Sequence, residues 1–230
     1  MQANIPISDY IAAVAGLGTA SYALVDSSKA VLGGVSNCGF SHIKCVVTKF
    51  FPLGSHNKDR SNPLALGGIL ATLKANWLNG VALADQKAIA KSLVKLRLDP
   101  DNAGHLAKVT GVDPQILIDI AKKISTGTAL LQQETDVFGR FDLILTVLLD
   151  EGYQRADQSY RNISKACAAV VSVVLAIVGG WTLESGAYWG TSDMGVAILA
   201  GILATPLAPV SKDLTSALTA GVKAVQLVRK

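Results

Sequence analysis

The side chains best suited to chemistry in this 230-residue chain are two cysteines and a histidine close together in the sequence. Cys38, His42 and Cys45 share one face if residues 36–51 form a helix, because positions four and three apart lie on one side. Thiolate and imidazole groups bind Zn²⁺, and His56 could supply a fourth ligand. The spacing matches no standard zinc finger, however, and a plain Cys/His face against protein or lipid headgroups fits the same residues. We therefore expect no bound metal, with Cys38, His42 and Cys45 as the weak candidates.

The remaining constellations offer little catalytic chemistry. Asp101 and His105 lie four residues apart, but no nucleophile accompanies them, so a surface pair is the simpler interpretation. The chain contains neither a dinucleotide-binding glycine motif nor a P-loop. Three cysteines are too few for a disulfide framework. The sequence thus predicts no enzyme and no cofactor.

The composition indicates a membrane protein. Half of the residues are hydrophobic and 17% are charged, whereas an ordinary soluble domain is about 25% charged. This hydrophobicity excludes intrinsic disorder. Nucleic-acid binding would require a clustered basic stripe, but no run of adjacent Lys and Arg is longer than two residues, and the net charge is +4.

Three apolar segments, residues 5–25, 166–181 and 194–210, are predicted membrane spans. Each has an uncharged core at the short end of the roughly 20 residues that a spanning helix needs. The second segment is the most secure, and the first is the weakest because it is rich in Ala and Gly. Buried helices of a large soluble core are the alternative. Since the second and third segments are only twelve residues apart, we expect a transmembrane hairpin.

The basic residues predict how these spans are oriented. Of the 21 Lys and Arg residues, 17 lie between Lys29 and Lys165, and the other four follow the third span. Positively charged segments stay on the cytoplasmic side, so the middle region and the C-terminus are expected inside and the N-terminus outside. We predict a multi-pass protein of an inner, cytoplasmic-type membrane. No basic residue precedes the first span, which favours a retained span over a cleaved signal.

Aromatic and basic residues are predicted to lie at the membrane interfaces. Tyr10, Trp181, Tyr188 and Trp189 would all lie on the outer side, where aromatic rings are favoured. Lys44 and Lys49 flank apolar residues just inside the first span. That pattern suits a helix on the anionic inner surface, and equally a helix packed on the cytoplasmic domain.

Small residues recur at every fourth position in all three spans. Helices associate in lipid through such faces because apolar burial gives little driving force there. Ala-rich spans also produce such stripes by chance. The predicted helix-packing residues are Ala12, Gly16 and Ala20 in the first span, Ala168, Ser172, Ala176 and Gly180 in the second, and Ala197, Gly201 and Thr205 in the third.

The elements between the spans are predicted to be helical, which gives an all-α fold. Apolar spacing predicts helices over residues 64–78 and 85–98, and Asp-Pro pairs at 99 and 113 predict two helix starts. Ile116, Ile120 and Ile124 form a predicted core stripe, and a long helix is expected from Thr128 into the second span. The predicted domains are an N-terminal transmembrane helix (1–28), a helical cytoplasmic domain with a membrane-proximal amphipathic helix (29–162), a transmembrane hairpin (163–210) and a C-terminal amphipathic helix (211–230).

These features favour a non-enzymatic membrane protein that anchors or assembles a complex. Its expected partners are membrane lipids and either further copies of itself or a larger membrane complex. The span cores lack ionisable residues, which argues against a self-contained transporter. An oligomeric pore lined by Ser172 and Thr205, or an accessory subunit of a channel or transporter, stays open as the alternative. A metal-dependent membrane enzyme is the third hypothesis.

Overall fold

The computed structural model describes residues 7–28, 33–52, 64–183 and 188–206. These residues are 84% helical and contain no strand, which confirms the predicted all-α fold. The predicted helix over residues 211–230, the end of the third predicted span and His56 lie outside the described residues. The described helices are α1 (Ile7–Ser27), α2 (Ser36–Lys49), α3 (Leu66–Leu78), α4 (Leu83–Lys95), α5 (Pro100–Thr110), α6 (Pro114–Thr126), α7 (Gln132–Leu183) and α8 (Ser192–Pro206).

The chain divides into two compact units. Unit 1 comprises Met1–Val35 and Arg161–Lys230, and its described helices are α1, the end of α7 and α8. Unit 2 comprises Ser36–Tyr160 and contains α2 to α6 and the first part of α7. The predicted long helix is therefore present as α7, which has 52 residues and begins four residues after the expected start.

Helix ends in unit 2 follow the local sequence signals. Asp99 caps α5 by accepting a hydrogen bond from the Asn102 amide at 2.8 Å, and Asp113 caps α6 in the same way. A proline follows each aspartate at the first helical position, where its missing N–H costs nothing. Both helices end at a glycine with φ of 69°, a left-handed conformation that glycine adopts without strain. The two predicted Asp-Pro starts are confirmed.

The core of unit 2 draws on every one of its described helices. Its largest fully buried side chains are Tyr153, Phe50, Phe141, Ile43, Ile69, Leu73, Leu106, Leu117, Ile120, Leu145 and Leu149. The predicted isoleucine stripe is only partly right, since Ile120 is buried whereas Ile124 is 47% exposed. The buried face of α6 is centred on Leu117, Ile120 and Ala121, rotated from the predicted one, and α6 packs chiefly against α5.

Helix α2 packs closely against α7 within unit 2. A Cβ atom on Gly39 would lie 2.7 Å from the carbonyl oxygen of Ala156, and one on Gly152 would lie 2.7 Å from a methyl group of Val46. Real Cβ atoms do not approach this closely, so the glycines permit the contact. Gly39 lies beside Ala156, whereas Val46, which is later in α2, lies beside Gly152, which is earlier in α7. The two helices therefore run antiparallel.

One helix among the described residues is long and apolar enough to cross a membrane. It is Gln132–Thr182, whose most apolar 18 residues have a mean hydropathy of 2.1 and are 11% buried. Length and composition alone support this assignment, which contains the second predicted span. Helix α1 has 21 residues but is too rich in Ala, Gly and Ser to reach the same hydropathy, and α8 is apolar but shorter.

Candidate helix-packing site

The end of α7 and helix α8 meet through small and polar residues. The Ser172 hydroxyl donates a hydrogen bond to the carbonyl oxygen of Gly201, 2.6 Å away, and Ser172 is fully buried. Ala168, one turn earlier on α7, and Ala204, one turn later on α8, are also fully buried. Ala168, which precedes Ser172, and Ala204, which follows Gly201, are thus both on the buried side, as expected for an antiparallel hairpin.

Gly201 lets the two backbones of this hairpin approach each other. A Cβ atom there would lie 2.5 Å from the Cα atom of Val173 and 3.0 Å from the carbonyl oxygen of Ser172. Because these are backbone atoms, a side chain at position 201 would require the helices to separate. The hydrogen bond from Ser172 depends on this close approach, so the two features form one contact.

A second glycine contact lies where α7 ends. A Cβ atom on Gly180 would overlap the hydroxyl and ring of Tyr188, which is 1% exposed. The Tyr188 ring also meets Trp189 edge to face, with 6.2 Å between the ring centroids. Tyr188, predicted at the outer membrane interface, is buried against α7, and its position relative to a membrane stays a prediction.

The other predicted packing residues of the hairpin lie at its margins. Ala176, Gly180 and Ala197 are half-buried, and so is Thr205, whose hydroxyl oxygen is buried. The hydroxyl groups of Ser164, Tyr188 and Thr205 are buried in the described structure without a hydrogen-bond partner. The structure therefore joins Ser172 and Gly201 directly, packs Gly180 against Tyr188, and leaves Ala176, Ala197 and Thr205 less buried.

Helix α1 carries small residues on two of its faces. Ala12, Gly16 and Ala20, the predicted packing residues, are exposed, and nothing lies within 4 Å of a Cβ atom on Gly16. The buried face carries Ala15, Gly18, Ser21 and Val25 instead. Both faces are small enough to pack, so the sequence alone gave no signal that selects one of them.

The outward face of unit 1 is strongly apolar. Val170 on α7 is 64% exposed and Leu199 on α8 is 60% exposed. Ala168 and Ser172, two residues before and after Val170, are fully buried. A water-soluble fold places large apolar side chains inside and polar ones outside. On the described hairpin of unit 1, small residues and the polar Ser172 are buried at the helix contact, whereas most of the large aliphatic side chains face outward. The exposed large apolar residues of the hairpin are Val170, Val174, Val178, Trp181, Trp189, Val196, Leu199, Ile202 and Leu203.

The remaining predicted interfacial residues are exposed in the structure. Tyr10, Trp181 and Trp189 are all more than half exposed. Lys44 and Lys49 lie on the exposed side of α2, while the apolar residues beside them, Val47 and Phe50, enter the core of unit 2. Helix α2 therefore packs on its own unit through its apolar side.

The candidate metal ligands do not converge in the structure. Cys38 and Cys45 are free and exposed on α2, and His42 is half-buried. Within the described ranges, no group of three or more His, Cys, Asp or Glu residues could hold a metal ion. His105 forms a hydrogen bond through Nε2 with the carbonyl oxygen of Lys49 at 2.9 Å, close to the C-terminal end of α2.

Ion pairs that the sequence analysis did not identify join α4 to α7 in unit 2. Asp142 accepts hydrogen bonds from Lys91 at 2.5 Å and Lys95 at 3.0 Å, and Lys87 pairs with Asp150. Burial alone would raise the pKa of Asp142, but the hydrogen bonds from the two lysines outweigh it and the pKa is lowered. Charges this far apart in sequence carry no helical spacing signal that could have revealed the pairs.

A second ion pair closes the turn between α6 and α7. Glu134 accepts hydrogen bonds from Lys123 at 2.6 and 2.7 Å, and from the amide of Leu131 at 2.7 Å. The hydrogen bond from Lys123, followed by that from Leu131, lowers the pKa of the Glu134 carboxyl. The contact fixes the start of α7 against the end of α6, and so it is structural in character.

No family model matches the chain, and it matches no curated protein and no solved structure.

Proposed function

We propose that this protein is a non-enzymatic integral membrane protein, which acts as a structural, anchoring or assembly subunit of a membrane complex. Residues 5–25, 166–181 and 194–210 would span the membrane, with unit 2 in the cytoplasm. The N-terminus would lie outside and the C-terminus inside. The membrane is proposed to be of the inner, cytoplasmic type, from the distribution of Lys and Arg.

The reversed burial in unit 1 is the observation that carries this proposal. Val170, Leu199 and their apolar neighbours are exposed, while Ser172 and Ala168 are buried. In water, exposing eight large apolar side chains on the two helices, and Trp189 just before α8, would be unfavourable, at about 1.5–3 kcal/mol for each Val, Leu or Ile left unburied. Lipid tails remove this cost because they are themselves apolar. Helices in lipid instead associate through small residues and hydrogen bonds, as Ser172 and Gly201 do.

Assembly with further copies is proposed from the exposed face of α1. Ala12, Gly16 and Ala20 point away from the rest of the described chain, and they would allow another helix to approach closely. The outward faces of α7 and α8 are bulky and suit lipid contact. Helix α1 is also the least apolar of the proposed spans, so protein contact would suit its exposed face better than lipid.

Membrane integration is tested by expressing the full chain and extracting the membranes with alkaline carbonate. An integral protein stays in the membrane pellet, and a peripherally bound one appears in the supernatant. Topology is tested in intact spheroplasts or inside-out vesicles, by protease digestion from each side. Protection of unit 2 in the first preparation and cleavage in the second support the proposal, and the opposite result contradicts it.

Assembly is tested by the mass of the purified protein in mild detergent, corrected for bound detergent. A multiple of 23.9 kDa, or a stable complex with co-purified subunits, supports it. A strict monomer without partners contradicts it. Replacing Gly16 by Ile should reduce the mass towards one chain, whereas replacing Gly195, which is exposed on α8, serves as the matched control.

Thiol labelling in membranes separates this proposal from the pore alternative. Ser172 is bonded to Gly201 inside one hairpin, an arrangement that favours packing over pore lining. In a chain with Cys38, Cys45 and Cys167 replaced by serine, a cysteine placed at position 172 or 205 should then resist a charged, membrane-impermeant thiol reagent. Rapid labelling at both positions would favour the pore instead.

A further inference from the structure

Trp77 contacts both the first and the last residue of unit 2. The indole Nε1 of Trp77 donates a hydrogen bond to the carbonyl oxygen of Ser36, the first residue of the unit, at 2.9 Å. The same indole meets the ring of Tyr160, the last residue of the unit, edge to face with centroids 6.2 Å apart. The chain therefore enters and leaves unit 2 at the same end, and both connections lead towards proposed spans.

We infer that this end of unit 2, formed by Ser36, Cys38, Trp77 and Tyr160, contacts the phospholipid headgroups of the cytoplasmic leaflet. The inference rests on the proposed function, since it requires residues 166–181 to span the membrane. It assigns the lipid contact to an aromatic surface that includes Trp77 and Tyr160. That surface differs from the one around Lys44 and Lys49 that the sequence suggested.

Tyr160 lies only a short distance along α7 from the proposed membrane span. Tyr160 precedes Ala166, the first residue of the uncharged run, by six residues, and the helix is continuous between them. Six residues of α-helix rise about 9 Å. One headgroup layer is roughly 5–8 Å thick, from the difference between the whole bilayer and its hydrocarbon core. Tyr160 therefore lies at the water-side edge of the headgroups, and any tilt of the helix brings it closer.

The chemistry of the surface also supports the headgroup contact. Tryptophan and tyrosine are enriched at membrane interfaces because each ring has an apolar body and one polar group. Trp77 and Tyr160 are both half-buried in the structure, so part of each residue stays accessible. Lys165, the last charge before the uncharged run, is exposed and can reach lipid phosphate from the same region of the helix.

The direction of α2 determines which of its residues lie beside Tyr160. Because α2 runs antiparallel to α7, its first turn lies beside Ala156 and Tyr160, and its later turns lie beside earlier residues of α7, such as Gly152. Cys38 is in the first turn, and Cys45 follows on the same face about 10 Å farther along the helix axis. Lys49 is the last residue of α2 and lies at its far end.

The two exposed thiols permit a direct test in the full chain. One variant, Cys45→Ser with Cys167→Ser, keeps only Cys38, and its matched partner, Cys38→Ser with Cys167→Ser, keeps only Cys45. Each is labelled with a maleimide fluorophore and reconstituted in phosphatidylcholine–phosphatidylglycerol vesicles that contain a lipid with a nitroxide on its headgroup. Quenching at Cys38 should exceed that at Cys45 about twofold or more, because about 10 Å of helix separates the two labels.

Equal quenching at the two positions, or stronger quenching at Cys45, overturns the inference. A second measurement replaces Trp77 by Ala in the variant that keeps Cys38, and quenching should then fall, while Trp77→Phe should preserve most of it. If Trp77→Ala does not fold, the comparison of Cys38 with Cys45 still decides. Flotation of the same vesicles separates the two proposals: a chain that does not float contradicts membrane insertion, whereas a floating chain without the difference in quenching contradicts only the headgroup contact.

Discussion

The hydroxyl of Ser172 and the carbonyl of Gly201 are joined across two helices by a hydrogen bond of 2.6 Å. The bond exists because Gly201 has no side chain, so its backbone lies against that of Val173. In lipid, such interhelical hydrogen bonds contribute about 0.6 kcal/mol on average, less than their isolation from water would suggest. The proposed transmembrane hairpin would therefore depend mainly on the close packing that Gly201 allows.

The first prediction concerns this packing. Gly201→Ala places a methyl group against the backbone of Val173, and the helices must separate. Overpacking of this kind costs about 1–3 kcal/mol. The melting temperature in mild detergent should fall, as followed by circular dichroism. Gly195→Ala is the matched control, since its methyl group would meet nothing within 4 Å, and it should leave the melting temperature unchanged or raise it. Equal effects of the two substitutions would show that Gly201 is not at a packed contact.

The second prediction compares two glycines of α7 in unit 2. Gly152→Ala brings a methyl group to 3.0 Å from the Cβ atom of Val46, which is fixed to the α2 backbone, and should destabilise the protein by about 1–3 kcal/mol. Gly139→Ala meets nothing within 4 Å and should stabilise it by roughly 0.5–1 kcal/mol, because alanine loses less backbone entropy in a helix. Chemical denaturation of the full chain in detergent measures both. A stabilising Gly152→Ala would contradict the close packing of α2 on α7.

The sequence was sufficient for the elements whose signals are local. Asp99 and Asp113 predict the starts of α5 and α6, because the capping side chain and the following proline both act within one helical turn. The continuous helix into the second span was likewise predictable, since no proline interrupts it. These features depend on neighbours in the sequence, which a single chain displays.

The choice of helix face could not be predicted, because it depends on what packs against the helix. On α1, the stripe of Ala12 and Gly16 and the stripe of Ala15 and Gly18 are nearly equivalent in sequence, and the structure buries the second. Tyr188 is of a residue type favoured at membrane interfaces, but its ring packs over Gly180. The space above Gly180 is formed only when the hairpin folds. The ion pairs between the lysines of α4 and the aspartates of α7 also arise from tertiary packing.

The third prediction concerns the start of α6. The Asp113 carboxylate accepts hydrogen bonds from the amides of Gln115 at 2.9 Å and Ile116 at 3.0 Å. Asp113→Ala removes both, and the free energy of unfolding should fall by about 1 kcal/mol. Asp119→Ala in the same helix removes only an exposed pair with Lys122 at 3.4 Å, and should change it by less than about 0.5 kcal/mol. A smaller loss for Asp113→Ala than for Asp119→Ala would contradict the capping role.

The fourth prediction is the dependence of unit 2 stability on pH. The pKa values of Glu134 and Asp142 are lowered in the folded chain, so the folded state favours their charged forms. Their contribution is therefore fully present above the pKa of the unfolded groups, near 4, and is lost as the pH falls through the lower folded pKa. Thermal unfolding measured between about pH 6 and pH 3 should show a falling melting temperature at the acid end.

The double variant Glu134→Gln with Asp142→Asn isolates the source of this loss. Its melting temperature should fall less steeply with acid than that of the unmodified chain, because two of the groups that take up protons on unfolding are gone. At neutral pH, Asp142→Asn alone should cost about 1 kcal/mol, since Lys91 and Lys95 lose their shared partner at a partly exposed site. Lys123→Met should raise the pKa of Glu134 towards its ordinary value, as measured by carbon-13 chemical shifts of the carboxyl group. An acid slope in the double variant equal to that of the unmodified chain would assign the pH dependence to other groups.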